Sequence, residues 1–352
     1  MTEAYIKLGE IATYINGYAF KPKDRGREGL PIIRIQDLTG NSNDKGFYKG
    51  KYPSKIEINN GDILISWSAS LGVYIWNSGR ALLNQHIFKV VFDKKAIDRD
   101  YFVYAVQFSL NKMKQLTHGA TMKHVVKKDF ENVSIPYPSL TEQRKIACIL
   151  DKLKKSMSKR LQELKKLDEL IKARFVEMFG DPVNNSKDQP VDKFINIVKL
   201  QRGFDLPVKK RDSTGKIPVF GSNGIVGYHT EAKAKNGIIT GRSGTIGKVY
   251  RKSGEYWPLN TSLFSVDTHG NNIIFLQVLM QLFHLERFYN GAGVPTLNRN
   301  DVHRQKIIKI SLDKQNEFAN FVQQVDKSKV AVQKSLDETQ KLYDSLMQEY
   351  FG

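Results

Sequence analysis

The sequence has a single cysteine, Cys148, among its 352 residues. One thiol allows no internal disulfide and no cysteine-built zinc site, so a reducing interior is expected. Long apolar runs are missing too. The most apolar stretch, Ile273 to Phe283, falls far short of the ~20 residues that cross a bilayer. The start, Met1-Thr2-Glu3-Ala4-Tyr5, carries no apolar signal core. These absences predict a cytoplasmic protein with no membrane partner. Negative charge is scarce as well: 36 Asp and Glu face 55 Lys and Arg, a formal net charge of +19. That argues against an acidic buffering protein and for a polyanionic partner. With 40% hydrophobic and 11% aromatic residues the chain is neither disordered nor fibrous. Its length suits about two domains with sizeable cores.

Catalytic signatures are also lacking. Gly241-Arg242-Ser243-Gly244-Thr245-Ile246-Gly247-Lys248-Val249 looks like a phosphate-binding loop. A Walker A motif, however, needs Gly where Arg242 stands and Ser or Thr where Val249 stands. The run Gly221-Ser222-Asn223-Gly224-Ile225-Val226-Gly227 lacks dinucleotide-fold spacing. No Asn-Pro-Pro or Asp-Pro-Pro occurs, as an amino-methyltransferase site would require. The seven histidines show no metal-ligand spacing. His284, in an apolar helical stretch, reads as a core histidine, and the acidic residues of 151–179 read as a solvated helix face. A non-enzyme with no metal and no cofactor of its own is expected.

What is present is a repeat, shifted by 172 residues. Ser139-Leu140 and Gln143 recur as Ser311-Leu312 and Gln315, Leu164 as Leu336, and Phe179-Gly180 as Phe351-Gly352. Upstream, with small gaps, His118-Gly119-Ala120 faces Asn290-Gly291-Ala292, and Leu83-Asn84 before Phe88 faces Leu259-Asn260 before Phe264. Ile63-Leu64-Ile65-Ser66 before Gly72 resembles Ile238-Ile239-Thr240-Gly241 before Gly247. Two similar halves follow, and both are basic: 31 Lys and Arg against 19 Asp and Glu up to residue 180, then 24 against 17. The charge belongs to the repeated unit.

Within each half the texture changes. Residues 1–138 and 181–310 are rich in Gly, Asn, Ser and aromatics, with short apolar runs. Gly61-Asp62 and Asn236-Gly237 read as turns feeding strands, and 100–116 and 272–289 as helices packed on them. The spacing predicts long helices over 139–180 and 311–352. Ser139 and Thr141-Glu142-Gln143 supply a polar start. Leu153, Met157, Leu164, Leu167, Ile171 and Met178 then recur at 3/4 spacing, interrupted by Arg160 and Arg174. The second copy carries Val325, Val332, Leu336, Tyr343, Leu346 and Tyr350 in the same register. A helix of ~39 residues, roughly 58 Å long, outruns a globule of ~30–40 Å. Its stripe must be buried, and the other copy is the obvious partner. The expected fold is α+β: two strand-rich domains in pseudo-twofold repeat, joined by two long antiparallel helices forming a coiled coil.

Recognition chemistry remains. Loops rich in Arg, Lys, Asn, Gln and aromatics suit phosphates and base edges. Four sets recur across the halves. They are Thr121, Lys123 and His124 with Thr296, Asn298 and Arg299; Asn84, Gln85 and His86 with Asn260; Ser66 and Trp67 with Arg242 and Ser243; and Tyr18, Phe20 and Lys21 with Arg202 and Phe204. Ser222 and Asn223 join the second half's set. Any one of these could equally serve plain turn chemistry.

Three segments carry a family resemblance. The run from Ile135-Pro136-Tyr137-Pro138 through Ser139-Leu140-Thr141-Glu142-Gln143 to Ala147 is one. Pro218-Val219-Phe220-Gly221-Ser222-Asn223-Gly224 continuing to His229 is the second, and Phe175 to Pro182 the third. The whole chain resembles the specificity (S) subunit of Type I restriction–modification systems. The second helix approach, Ile310-Ser311-Leu312, departs in lacking the prolines. The resemblance implies two target-recognition domains, each reading half of a split double-stranded DNA target, with the helices as spacer. It implies two methyltransferase (M) subunits docked on the helices and restriction/motor (R) subunits beyond them. S-adenosylmethionine, ATP and Mg²⁺ would then belong to those partners. Two alternatives stay open: an S-like subunit of a Type IIB restriction system, and a non-enzymatic coiled-coil adaptor.

Overall fold

The computed structural model describes residues 4–41, 44–68, 70–116, 126–212, 214–290 and 293–352. It separates into two compact units, one made of Met1–Ser158 with Asp337–Gly352 and the other of Lys159–Leu336. Both long helices, Leu140–Phe179 and Leu312–Phe351, contribute to both units. Each has 40 residues, about 60 Å at 1.5 Å per residue.

In the first unit, one antiparallel sheet orders Thr13–Asn16, Ile87–Val91, Ile63–Ser66 and Gly72–Ile75. Every residue of Ile63–Ser66 is buried, so this strand has no polar face to alternate with. A second sheet orders Phe47–Tyr48, Leu30–Ile33, Ala81–Leu83 and Glu57–Ile58, with the middle two parallel. Helix Arg99–Leu116 buries Tyr101, Phe102, Ala105, Val106 and Leu110 against the core. In the second unit six strands form one sheet in the order Lys199–Arg202, Ser262–Asp267, Ala234–Gly241, Val249–Pro258, Ile217–Gly221 and Gly224–His229. Helix Ile273–Leu282 packs on it, burying Phe275, Leu276, Val278, Leu279 and Met280.

The start of each long helix is fixed by a buried glutamine. Gln143 donates from Nε2 to the Pro138 carbonyl (2.8 Å), and its Oε1 accepts the Asp98 N–H (2.8 Å), just before Arg99–Leu116. Gln315 repeats this with the Ile310 carbonyl (2.8 Å) and the Asn272 N–H (2.9 Å), just before Ile273–Leu282. Ser139 supplies the expected cap, its Oγ accepting the Glu142 N–H at 3.3 Å. Both helices end alike: Gly180 and Gly352 donate to the carbonyls of Val176 and Gln348, each at 2.9 Å.

The helices meet antiparallel within each unit. In the second unit Lys329 pairs with Asp168, and Phe175 and Phe179 of the first helix meet Phe318 of the second at 5.4 and 5.8 Å. Phe275 joins them, stacked on Phe175 at 5.5 Å. In the first unit Met347 and Phe351 enter the core beside Ile146 and Leu150, and Tyr101 contacts Phe351 at 5.2 Å. All twelve expected seam residues are buried or half-buried. Ile171 and Val325 are the most enclosed of them. The deepest helix contacts were missed, because Phe175, Phe179 and Met347 lie beside the 3/4 stripe and Phe318 lies on it one heptad before Val325, where the expected seam begins. Arg174 fits the seam by lying 5.8 Å from the Phe321 ring and pairing with Glu177 (2.9 Å).

Two expectations are corrected. Asn236-Gly237 opens no strand: it forms a bulge inside Ala234–Gly241, with Asn236 at φ 47°. The Asn236 side chain accepts the Gly254 N–H (2.6 Å), so the turn-forming amide serves a bulge instead. His284 is no core histidine. It follows the helix in the left-handed region at φ 55°, exposed, with Nδ1 2.9 Å from Glu286. Among the described residues the buried histidine is His303, whose Nε2 accepts the Leu200 N–H at 2.9 Å. Burial, reinforced by Arg299 and Lys199, holds its pKa below the usual imidazole value.

Two outcomes follow. Gln143→Leu leaves a buried N–H and C=O without partners and should cost about 2–5 kcal/mol in urea unfolding. The exposed Gln340→Leu should change stability by less than ~0.5 kcal/mol; equal midpoints would refute the lock. For His303 the unfolded chain takes up the proton first as pH falls through about 6.5. Stability should therefore drop from pH 7.5 to 5.5, and His303→Gln should flatten that drop in thermal melts. An unchanged pH response in the variant would remove His303 as the cause.

Candidate nucleic-acid interface

The candidate loops hang on one backbone device used twice. Strand Thr13–Asn16 runs into Gly17, and Lys199–Arg202 into Gly203. Tyr18 donates to the Leu83 carbonyl and Phe204 to the Pro258 carbonyl, both at 2.8 Å. The Gln85 N–H returns to Tyr18 (2.9 Å) and the Asn260 N–H to Phe204 (3.0 Å). A Cβ on Gly17 would lie 2.0 Å from the Asn84 carbonyl oxygen, and one on Gly203 2.2 Å from that of Leu259. Only glycine permits this approach. The pattern also corrects the repeat alignment by one residue: Asn84 corresponds to Leu259, and Gln85 to Asn260. Hydrogen-bond register, not letter identity, sets the equivalence.

In the first unit the device gathers aromatics. Tyr18 meets Phe20 edge-on at 5.0 Å, and Phe20 meets Tyr48 at 5.1 Å. Tyr48 is distant in sequence and was not expected. Lys21 is exposed beside them, and Gln85 is exposed next to the half-buried Asn84. Trp67 packs on His86 at 4.8 Å and stacks on Phe88 at 5.7 Å. His86 itself holds a left-handed backbone at φ 73°. Ser66 is withdrawn from the candidates: it is buried, and its Oγ donates to the carbonyl of Ser70 at the strand end. Thr121, Lys123 and His124 lie outside the described residues.

In the second unit the equivalent surface is cationic. A cleft of about 370 Å³ is lined by Arg202, Arg242, Thr296, Asn298 and Arg299, over Leu263 and Leu297. Five sequence candidates from three separate segments thus share one cleft. Its floor is pinned by backbone bonds. Arg242 and Ser243 donate to the Thr261 carbonyl (2.9 and 3.1 Å), and Leu297 donates to the Arg242 carbonyl (2.7 Å). Ser243 bridges Thr296 in strand fashion. Asn298 caps the short helix Arg299–His303, its Oδ1 accepting the Asn300 N–H at 3.0 Å. The Asn260 amide is engaged by Asp205. Ser222 packs against Gly241, and Asn223 accepts from Lys248 (2.7 Å). The phosphate-loop look-alike therefore leads into strand Val249–Pro258, with no helix start behind it. Phe204 is withdrawn as well: its ring lies on Phe264 (5.8 Å) and Trp257 (6.4 Å) as part of the sheet packing. Among the described residues no group of three or more metal-ligating side chains occurs. No helix among them is long and apolar enough to cross a membrane.

Comparison with known proteins gives a consistent picture. The family described as Type I restriction modification DNA specificity domain matches residues 3–166 and 193–340. The Type I restriction enzyme EcoBI specificity subunit of Escherichia coli is 28% identical over 170 residues, 47% of this chain and 35% of that protein. The MjaVIII specificity subunit of Methanocaldococcus jannaschii is 34% identical over 168 residues, 46% of this chain and 39% of the other. The matches thus span between a third and two fifths of these curated relatives. A crystal structure of the Type I system S subunit from M. genitalium has a TM-score of 0.60 at 15% identity, covering 100% of this chain and 97% of its own. A chain from a structure of type I system assembly and conformational transition scores 0.60 at 14% identity, covering 99% and 98%. At these identities the likeness concerns the fold.

Gly17→Ala and Gly203→Ala should each destabilise the chain by about 3 kcal/mol through forced backbone displacement. Gly79→Ala, where the added Cβ meets nothing within 4 Å but φ is 83°, should cost only about 1 kcal/mol. Equal losses at Gly17 and Gly79 in denaturant titrations would show that close approach is not the constraint.

Proposed function

Because this chain belongs to the Type I restriction modification DNA specificity domain family, we propose that it is the sequence-specific DNA-binding subunit of such a system. Each unit reads one half of a bipartite duplex target. The chain directs two methyltransferase subunits and restriction subunits to that target and contributes no catalytic group itself. S-adenosylmethionine, ATP and Mg²⁺ act on those partners.

The observation that carries this reading is the cleft of the second unit, lined by Arg202, Arg242 and Arg299 with no carboxylate among its described lining residues, although Asp205 approaches Arg202 at 3.5 Å. Three clustered guanidinium groups repel one another unless an anion or an acceptor-rich surface joins them. DNA offers both, as phosphates and as base edges. Phosphate neutralisation releases condensed counterions, so affinity depends steeply on salt. The first unit's Tyr18, Phe20 and Tyr48 supply apolar edges suited to thymine methyl groups. A continuous helix cannot change length without repacking. The helices that continue from one unit into the other therefore set the separation of the half-sites, and base pairs between them go unread.

Two measurements test this with the chain assembled on its methyltransferase. In salt-titrated duplex binding, Arg299→Ala should lower the log–log slope by about one, with a similar effect for Arg202→Ala. Slopes unchanged in both variants would exclude the cleft from DNA. Matched insertions of one helical turn in both long helices should lengthen the preferred spacer by about one to two base pairs, given 5.4 Å per turn. An unchanged spacer preference would remove the helices as its determinant.

A further inference from the structure

We propose that Arg242 is the specificity-determining residue of the second unit, reading the major-groove edge of a guanine, while Arg202 and Arg299 hold flanking phosphates. This rests on the DNA-reading function above and assigns the chemistry of that same cleft.

The three arginines differ in how they are held. Arg299 is exposed at the first position of its short helix. Arg202 is exposed and leans on Asp205 at 3.5 Å. Arg242 alone is half-buried and fixed at every level. Its N–H is bound by Thr261 (2.9 Å) and its carbonyl by Leu297 (2.7 Å). Its Nη1 donates to the Asn260 carbonyl at 3.2 Å. The other guanidinium donors make no hydrogen bond to the described residues, which leaves an oriented, unspent edge facing the cleft.

Base reading and phosphate binding demand different things of an arginine. A phosphate accepts from any direction, so a mobile rim side chain suffices. A base edge must be met in plane by two donors at once, which requires a guanidinium whose orientation is set beforehand. Arg242 meets the second requirement and its two neighbours meet the first.

The donor pattern selects the base. Besides the guanidinium groups, the cleft offers the Asn298 amide, whose oxygen already caps Arg299–His303, and the Thr296 hydroxyl, which donates to the Val294 carbonyl at 3.3 Å. Guanine shows two acceptors in the major groove, N7 and O6. Adenine pairs its acceptor with an N6–H₂ donor, and cytosine presents a donor. A donor-dense cleft rejects both. The first unit has Trp67 at the position equivalent to Arg242, so its half-site lacks this contact.

The test uses the chain bound to its methyltransferase and a library of randomised duplexes, sequenced after selection. Arg242→Lys keeps the charge and loses the fork. It should abolish selection of one guanine in one half-site, a loss of about five- to hundredfold in discrimination, with the other half-site intact. Arg242→Ala should do the same and serves as the second variant. The intact half-site shows that each variant is folded. Arg299→Ala should weaken all sequences alike. If both Arg242 variants keep every base preference and lose only overall affinity, Arg242 is a phosphate contact and the proposal fails. If the unaltered chain binds duplex but selects no sequence at all, the DNA-reading function itself fails, and this assignment with it.

Discussion

Each long helix leaves its domain at a point fixed by one buried side-chain amide. Gln143 ties the Pro138 carbonyl, just before the helix, to the Asp98 N–H that opens the helix of the domain core. Gln315 does the same between Ile310 and Asn272, and adds Asn271 at 2.7 Å. Such a lock needs one donor and one acceptor at the end of two methylenes. Glutamate lacks the donor, leucine both, and asparagine the reach. In a buried setting the unmade bonds would be costly, so the geometry is held tightly. The first turn of each 40-residue helix is thereby tied to the unit in which it starts.

Within each unit the end of the other long helix is packed into the core. Phe175 and Phe179 close the second unit's core with Phe275 and Phe318 at 5.0–5.8 Å. Met347 and Phe351 close the first. Between these ends the stripe is thinner. Leu153, Met157, Leu164 and Val332 are only half-buried, and Lys329 intrudes on the stripe to pair with Asp168. An exposed pair of this kind contributes little stability, roughly 0–1 kcal/mol. Its effect is on register: a slip of the two helices would place Lys329 against a different side chain. Stability comes from the aromatic ends, and alignment from the polar middle.

The long helices were legible because a 3/4 apolar spacing sustained over six positions suits an extended amphipathic helix and little else. The repeat was legible because its matches include residues with duties: Gln143 and Gln315 lock, Gly180 and Gly352 end helices. What each one does was not, since a hydrogen bond to Asp98 spans 45 residues. Local chemistry misled where tertiary context overrode it. Asn236-Gly237 has turn composition, yet strand Val249–Pro258 pairs along both sides of it. His284 has apolar neighbours, yet its helix stops two residues earlier, at Leu282. In the candidate interface, residue type identified the arginines of the cleft, but nothing local could separate them from Ser66 and Phe204, whose side chains turn inward. Tyr48 carried no signal at all, because its partner Phe20 reaches it only through the fold.

The two units show why such a scaffold tolerates different surfaces. The loops are held by main-chain bonds at Gly17–Tyr18 and Gly203–Phe204, and by the approach that those glycines alone permit. None of these contacts depends on which side chain stands at 67 or 242. Trp67 and Arg242 occupy equivalent strand-end positions, one closing an aromatic patch and the other pointing a cation into a cleft. The positions that set the backbone and the positions that face outward are therefore different residues. A substitution among the latter changes what the surface can bind without touching Gln143, Gln315 or the phenylalanine cluster. Recognition can diverge between the two halves of one chain while the repeat that carries it stays recognisable.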